Sequence, residues 1–167
     1  MAIKEKLTIM NARLVYKNFA GKATDYNAEG SRNFCVVFDD DAANELLEKG
    51  WPIKVKPPRE GYEDDGNFCT MKVNVKFSGN DRDPKVVRIC NGRRVNLTEK
   101  TIGSLDWDDI ESVDLRVRPY NWDRAGKKGV SAYLESMYVT VADDELEKKY
   151  STGIVDDYPQ DDEVPFE

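Results

Sequence analysis

Residues 113–122 read VDLRVRPYNW, and their alternating pattern is the starting point for predicting a β fold. Val113, Leu115 and Val117 alternate with polar residues, which is typical of a β-strand with one buried face. Because successive side chains of a strand point to opposite faces, residues of the other parity share the outward face. If Pro119 leaves the register unbroken, that face carries two guanidinium groups and two aromatic rings, those of Arg116, Arg118, Tyr120 and Trp122.

Further strand-like segments lie on both sides of this stretch. Val, Ile, Phe and Tyr alternate with polar residues, or form short runs, in residues 7–16, 33–38, 51–56, 71–77, 86–90, 93–97 and 130–141. Asn91-Gly92 predicts a hairpin turn, whereas residues 121–129 resemble a longer loop. Asp39–Asp41 before residues 42–50 predicts one clear helix with an acidic N-terminal cap and a closing glycine. Residues 103–111 predict a short helical turn.

This order of elements predicts a mainly β fold. About seven strands and one helix within roughly 140 residues favour an OB-fold-like, five-stranded antiparallel Greek-key barrel with an inserted helix and an extra hairpin. A β-sandwich is the alternative, and periodicity alone does not separate the two. The predicted domains are an OB-fold domain over residues 1–142 and an acidic, disordered tail over residues 143–167.

The negative charge is concentrated at the C-terminal end. The chain of 167 residues has a net charge of −7. Residues 143–167 hold ten acidic and two basic residues, whereas the other 142 residues hold 22 acidic and 23 basic residues. The body is therefore close to neutral, and an overall pI of about 4.8 does not exclude a nucleic-acid ligand.

The composition of the chain argues against several functional classes. Histidine is absent, so there is no imidazole base or His-dependent triad, and no phosphate-binding GxxxxGK[ST] or GxGxxG motif occurs. Three widely spaced cysteines, Cys35, Cys69 and Cys90, favour buried thiols over a disulfide framework or zinc site. No signal peptide or apolar run of membrane-spanning length is visible. We therefore expect a non-enzymatic, cofactor-free and metal-free protein of the cytoplasm.

The outward residues of the 113–122 strand suggest binding of unpaired nucleic acid. Arginine neutralises phosphate, and exposed rings stack on unpaired bases with little sequence preference. The alternative is that Tyr120 and Trp122 fold under the following loop as part of the core. Neighbouring cations and one further ring extend the candidate binding site, and these are Lys127, Lys128, Lys72, Lys76 and Tyr133.

The last residues have the composition of a protein-binding ligand. From Asp156 onward the sequence holds six acids and no base, and it cannot bury enough apolar surface to fold alone. The acids can steer association while an apolar tip enters a pocket. The predicted partner-binding residues are Asp161, Asp162, Glu163, Val164, Pro165 and Phe166.

Two resemblances support these predictions. The segment 161–166, DDEVPF, is similar to the tail tip of bacterial single-stranded DNA-binding proteins, although in those proteins Phe is the last residue and here Glu167 follows. The body resembles a family of phage single-stranded DNA-binding proteins through Asn18-Phe19, Tyr26-Asn27, GSRNF at 30–34, RPYNW at 118–122 and GVSAY at 129–133. The resemblance implies an OB fold, sequence-tolerant binding of single-stranded DNA, and recruitment of a replication or recombination polymerase, helicase or recombinase by the tail.

Three other functions remain open at this level. A single-strand annealing recombination protein would also bind single strands but would form large rings or filaments. A metal-dependent nuclease would use the acidic group of Asp106, Asp108, Asp109 and Glu111, for which a solvated turn is the alternative. An acidic DNA mimic would bind no DNA at all. The sequence also leaves open whether the chain forms a homo-oligomer.

Overall fold

The computed structural model describes residues 5–25, 27–62, 64, 66–79, 82–142 and 146. Within these described residues lie nine strands, one α-helix and a 3₁₀ helix at Ile102–Asp106. The helix α1 spans Asp40–Glu48. The strands are β1 Leu7–Ile9, β2 Arg13–Asn18, β3 Arg32–Phe38, β4 Ile53–Lys56, β5 Phe68–Val75, β6 Lys85–Cys90, β7 Arg93–Leu97, β8 Ile110–Arg124 and β9 Lys127–Val141.

These strands form one mixed sheet in the order β1-β8-β9-β5-β3-β2. Strand β4 pairs with β5, and the β6–β7 hairpin joins β9 through β6. The segment 7–18 pairs with β8 through β1 and with β3 through β2, so a single stretch of chain contacts both ends of the sheet. Strand β9 is parallel to β5 and to β6. The predicted OB-like fold with an inserted helix is confirmed, with a mixed sheet in place of a purely antiparallel one.

The core is formed by the buried side chains of the sheet together with those of α1, the 3₁₀ helix and the adjoining loops. Phe19 stacks on Phe34 with ring centroids 5.1 Å apart, and both rings are fully buried. The helix α1 begins where predicted, because the Asp39 carboxylate accepts a hydrogen bond from the Ala42 amide at 2.8 Å. Its Leu46 is buried against the same core. Within the described residues, no helix has the length and hydropathy needed to cross a membrane.

The predicted loop over residues 121–129 is wrong. Strands β8 and β9 continue to Arg124 and Lys127 and are joined by a two-residue turn. Ala125 and Gly126 have φ angles of 53° and 82°, and positive φ at both central positions is what a tight hairpin turn requires. The polar composition of this segment therefore belongs to a long, solvent-exposed ribbon.

Two other sequence predictions are refined by the structure. The predicted first strand over residues 7–16 is split into β1 and β2, with Asn11 at φ 51° between them. Cys69 and Cys90 are buried as predicted, whereas Cys35 is only partly buried and faces outward. The predicted tail over residues 143–167 lies outside the described residues apart from Leu146, so the domain boundary remains a prediction.

Candidate nucleic-acid interface

The outward face of β8 keeps its register through Pro119. Arg118, Pro119 and Tyr120 pair with Tyr133, Ala132 and Ser131 of β9 without interruption. Strand β1 pairs with β8 only up to Val117, so beyond that point β8 has a neighbour on one side only. Proline is tolerated in such an edge position because no ladder hydrogen bond is lost on the open side.

Two tyrosines and an arginine form the centre of a surface groove. The rings of Tyr120 and Tyr133 meet edge to face with centroids 5.8 Å apart, and the Arg118 guanidinium lies 5.9 Å from the Tyr133 ring. Tyr120 keeps 52% of its surface exposed. This aromatic groove has a volume of about 530 Å³ and is lined by Lys76, Ser78, Arg82, Arg118, Pro119, Tyr120, Arg124 and Tyr133.

The groove has a strongly positive lining. Among the described residues, four of the eight that line the groove are cations and none is acidic. They come from separate parts of the chain, since Lys76 follows β5, Arg82 precedes β6, and Arg118 and Arg124 belong to β8. An anion that enters this groove meets positive charge from three segments, while the two rings offer flat apolar surface beside it.

Four of the nine predicted site residues line the aromatic groove, namely Arg118, Tyr120, Tyr133 and Lys76. The ring of Trp122 instead lies across Gly129. A Cβ atom added to Gly129 would come within 2.6 Å of the Trp122 ring atom Cε2. The Trp122 ring thus covers the open backbone of its cross-strand partner. Trp122 and Lys128 line a separate groove beside Gly50. Lys127 is exposed at the hairpin turn.

The remaining two predicted residues lie elsewhere on the outer face. Arg116 is exposed, and its Nε donates to the Thr8 hydroxyl oxygen at 3.2 Å. Lys72 is exposed on β5 and pairs with Cys35 of β3. Asn74, two residues further along β5, pairs with Tyr133 of β9, so Lys72 and the aromatic groove lie on one continuous face.

Lys54 and Lys56 extend this face and were not predicted from the sequence. Register places them beside Thr70 and Phe68, which share the parity of Lys72. Burial raises the pKa of the Cys35 thiol, and the nearby charges of Lys72, Lys54 and Lys56 act in the opposite direction. The three lysines therefore surround one point of the outer face, and we call them the lysine patch.

A second aromatic pair lies beyond the lysine patch. The Tyr16 and Phe68 rings meet edge to face with centroids 6.4 Å apart, and Tyr16 is 63% exposed. Tyr16 has a φ of 53° at an irregularity between β2 and β3, a conformation unusual for a bulky residue. The alternation of Phe68 with Lys72 and Lys76 is visible in the sequence, whereas the position of Tyr16 depends on the irregularity.

Two carboxylates of the acidic group at 106–111 form contacts that stabilise the fold. Asp106 accepts hydrogen bonds from the Phe19 amide at 2.7 Å and the Ala20 amide at 3.0 Å. Asp108 forms a bidentate ion pair with Arg88, with distances of 2.8 and 3.0 Å. Within the part of the chain that is described, no group of three or more acidic or thiol side chains is arranged to hold a metal ion.

An OB-like body with a cationic, aromatic surface groove is typical of proteins that bind oligonucleotides or oligosaccharides. The sequence profile of the phage ssDNA-binding domain family matches residues 1–163. The chain therefore belongs to this family. No curated protein sequence matches it.

Two solved structures of one phage protein, with TM-scores above 0.5, share the fold of this chain. The chain is 13% identical to the single-stranded DNA-binding protein from bacteriophage Enc34 with its C-terminus truncated, with a TM-score of 0.51 over 83% of this chain and 87% of that one. For the Enc34 protein in complex with ssDNA the identity is 14% and the TM-score 0.51, over 83% and 88% of the two chains. The gp2.5 protein of bacteriophage T7 is 13% identical with a TM-score of 0.39, over 95% of this chain and all of that one.

Proposed function

We propose that this protein binds single-stranded DNA along its outer face, without strong sequence preference and without enzymatic activity, in phage DNA replication or recombination in the host cytoplasm. The observation that carries the proposal is the aromatic groove, whose described lining residues include two tyrosine rings and four cations and no acid. Rings stack on unpaired bases and cations neutralise phosphates, so this lining suits both parts of a single strand.

The same lining disfavours duplex DNA. In a duplex the bases are already stacked and paired, so their faces are not available to Tyr120 and Tyr133. Only phosphate contacts would remain, and these are shared by every nucleic acid. The rings therefore supply the preference for single strands, and the cations supply strength that depends on salt.

The outer face offers a path longer than the groove. From Tyr133 the face continues through Asn74 to the lysine patch and ends at Tyr16 and Phe68. Two aromatic pairs with lysines between them match the alternation of bases and phosphates along a strand. Lys127 and Lys128 at the hairpin turn, and Arg116 and Trp122 on β8, lie beside this path as further contacts of the proposal.

The proposal is tested by comparing oligo-dT with a duplex of equal length at several salt concentrations. We expect oligo-dT to bind far more tightly. If four to six phosphates are neutralised by the cations of the outer face, log K should fall with log salt at a slope of roughly −3 to −4, from about −0.7 per phosphate. Fluorescence anisotropy of a dye-labelled strand measures both quantities. Equal affinity for the duplex would refute the stacking role of the tyrosines.

The acidic tail extends the proposal to protein partners. Asp161–Phe166 lies outside the described residues, and its role rests on sequence: three acids, an aliphatic residue, a proline and a phenylalanine. We propose that the acids steer a replication or recombination protein toward the tail and that Phe166 enters an apolar pocket of that partner.

Phe166→Ala is expected to weaken binding to such a partner about 30-fold or more, because a buried aromatic anchor is commonly worth about 2 kcal/mol or more. Binding to oligo-dT should be unchanged. The measurement is calorimetric titration of the polymerase, helicase or recombinase of the same phage or host. Gln160→Ala, a neutral change in the same segment, is the control. Equal affinities for both variants and the parent would contradict a partner-binding role for the tip.

A further inference from the structure

Strand β7 is an open edge of the sheet. Within the described residues it pairs with β6 alone, so no described strand lies on its other side. Its first four residues, 93–96, are exposed. An open edge carries backbone N–H and C=O groups that can pair with another strand. The DNA-binding proposal uses none of the residues of β7.

The hairpin turn determines which backbone groups of β7 face outward. The two residues of the turn, 91–92, have φ angles of 53° and 79°, and Cys90 pairs with Arg93 on either side of them. The residues that flank such a two-residue turn exchange both of their hydrogen bonds. Hydrogen-bonded and non-hydrogen-bonded pairs alternate along an antiparallel ladder. Arg94 and Asn96 therefore direct their N–H and C=O groups away from β6.

An apolar patch lies along the same edge. Val95 and Trp107 are 51% and 78% exposed and line one depression, which has a volume of about 640 Å³. The ammonium group of Lys22 lies 4.8 Å from the centroid of the Trp107 ring. Exposed apolar side chains that form a patch commonly mark a protein interface. The edge thus combines open backbone groups with apolar surface, as the addition of a partner strand requires.

The sequence of β7 is self-complementary in one antiparallel register. With Val95 on a two-fold axis, Arg94 of each copy lies opposite Asn96 of the other, and their outward groups can form four backbone hydrogen bonds. A shift that pairs Arg94 with itself sets like charges opposite each other. The opposite shift pairs Arg94 with Thr98, whose amide already donates to the Thr101 hydroxyl oxygen at 2.7 Å.

The charges near this edge also suit a second copy of the chain. Charged side chains on an edge strand commonly prevent pairing, but in this register no arginine faces another. Arg93 lies opposite Leu97 of the other copy. Glu99 lies two residues after Leu97, and its side chain is 56% exposed although it contacts Arg32 at 3.4 Å. Each copy therefore brings an acid toward Arg93 of the other.

We propose that two copies of this protein associate through antiparallel pairing of β7 with β7, centred on Val95. The pairing joins the two sheets into one. Val95 meets its counterpart as a non-hydrogen-bonded pair, in which the Cα atoms approach to about 4.5 Å and the side chains contact. Each Trp107 ring lies beside this contact and loses exposed surface. Strand β7 does not line the aromatic groove, so the inference does not depend on the DNA-binding proposal.

Sedimentation velocity of the full chain over a series of concentrations tests the association. We expect the parent to shift with concentration from the mass of one chain, 19.1 kDa, toward twice that mass. Val95→Lys should raise the dissociation constant about tenfold or more, because two like charges would meet across the axis. Val55→Lys is the control, since it makes the same change at an exposed valine of the edge strand β4 and should leave the dissociation constant unchanged.

Cysteine cross-linking tests the register separately. Val95→Cys should give a disulfide-linked dimer under mild oxidation, because Cα atoms about 4.5 Å apart are within disulfide reach. Asn96→Cys should not, because its counterpart is displaced by two residues along the strand, which places the Cα atoms more than about 7 Å apart. The parent, with its three free cysteines, provides the background.

Three outcomes would overturn the proposal. The first is a parent that keeps the mass of one chain at every concentration. The second is a Val95→Lys variant that associates as tightly as the parent, since the interface would then lie elsewhere. The third is cross-linking of Asn96→Cys as efficient as that of Val95→Cys, since the strands would then pair in another register.

Discussion

The double variant Tyr120→Ala/Tyr133→Ala is expected to bind oligo-dT roughly 30- to 1,000-fold more weakly than the parent, a loss of about 2–4 kcal/mol. Each ring offers a face to one base, and stacking is worth about 1–3 kcal/mol per base. The two losses should not add fully, because the rings contact each other with centroids 5.8 Å apart. The slope of log K against log salt should stay unchanged, since no cation is removed.

Two control variants separate stacking from other roles of the tyrosines. Tyr120→Phe/Tyr133→Phe keeps both rings and removes only the hydroxyl groups, so it should retain most of the affinity. Trp107→Ala removes an exposed ring outside the aromatic groove and should leave oligo-dT binding unchanged. Anisotropy titrations with each variant measure these differences. A phenylalanine pair that binds as weakly as the alanine pair would show that the hydroxyl groups, not the ring faces, bind the strand.

Asp106→Ala is expected to lower the free energy of unfolding by about 2–4 kcal/mol, because two backbone amides lose a charged acceptor. Those amides belong to Phe19 and Ala20, at the end of β2, and Phe19 is fully buried. Asp106 therefore fastens the chain after β2 to the 3₁₀ helix. Urea denaturation followed by circular dichroism measures the change, and the m-value should stay constant if the unfolding remains two-state.

A conservative change at Asp106 and a change at the neighbouring Asp109 provide controls for this prediction. Asp106→Asn keeps one acceptor oxygen and should lose less stability than the alanine variant. Asp109→Ala removes an exposed carboxylate and should change stability by no more than about 0.5 kcal/mol. If Asp106→Ala proves as mild as Asp109→Ala, the two amides find other partners and the carboxylate is not a structural element.

The alternation in residues 113–122 predicted the central features of the candidate site. It placed Arg118 and Tyr120 on one outward face, and the strand register confirms this placement. Local chemistry also predicted the capped helix α1 and the β6–β7 hairpin, because caps, turns and parity depend on residues close in sequence. The sequence also predicted the acidic tail, whose residues 147–167 lie outside the described residues.

The groove itself depends on tertiary structure. Lys76 and Arg82 reach Tyr120 only because β5 runs parallel to β9 and ends beside Tyr133, and no local pattern encodes that pairing. The same holds for the lysine patch, which joins β4 to β5, and for Tyr16 beside Phe68. Sequence periodicity reports which face a side chain occupies but not which strand lies next to it.

The loop prediction for residues 121–129 failed for a related reason. Polar, glycine-containing composition is shared by loops and by solvent-exposed ribbons, and only the cross-strand pairing of β8 with β9 separates the two. Likewise, the dense acidic stretch at 106–111 has the composition of a solvated turn. Its structural role depends on the amide that Asp106 binds and on the ion pair between Asp108 and Arg88. Three features could be predicted from the sequence, namely strand parity, the capped helix and the distribution of charge, because these are local properties. The cations that lie beside the rings, and the acids that form structural hydrogen bonds and ion pairs, depend on tertiary structure, because those contacts join residues far apart in the chain.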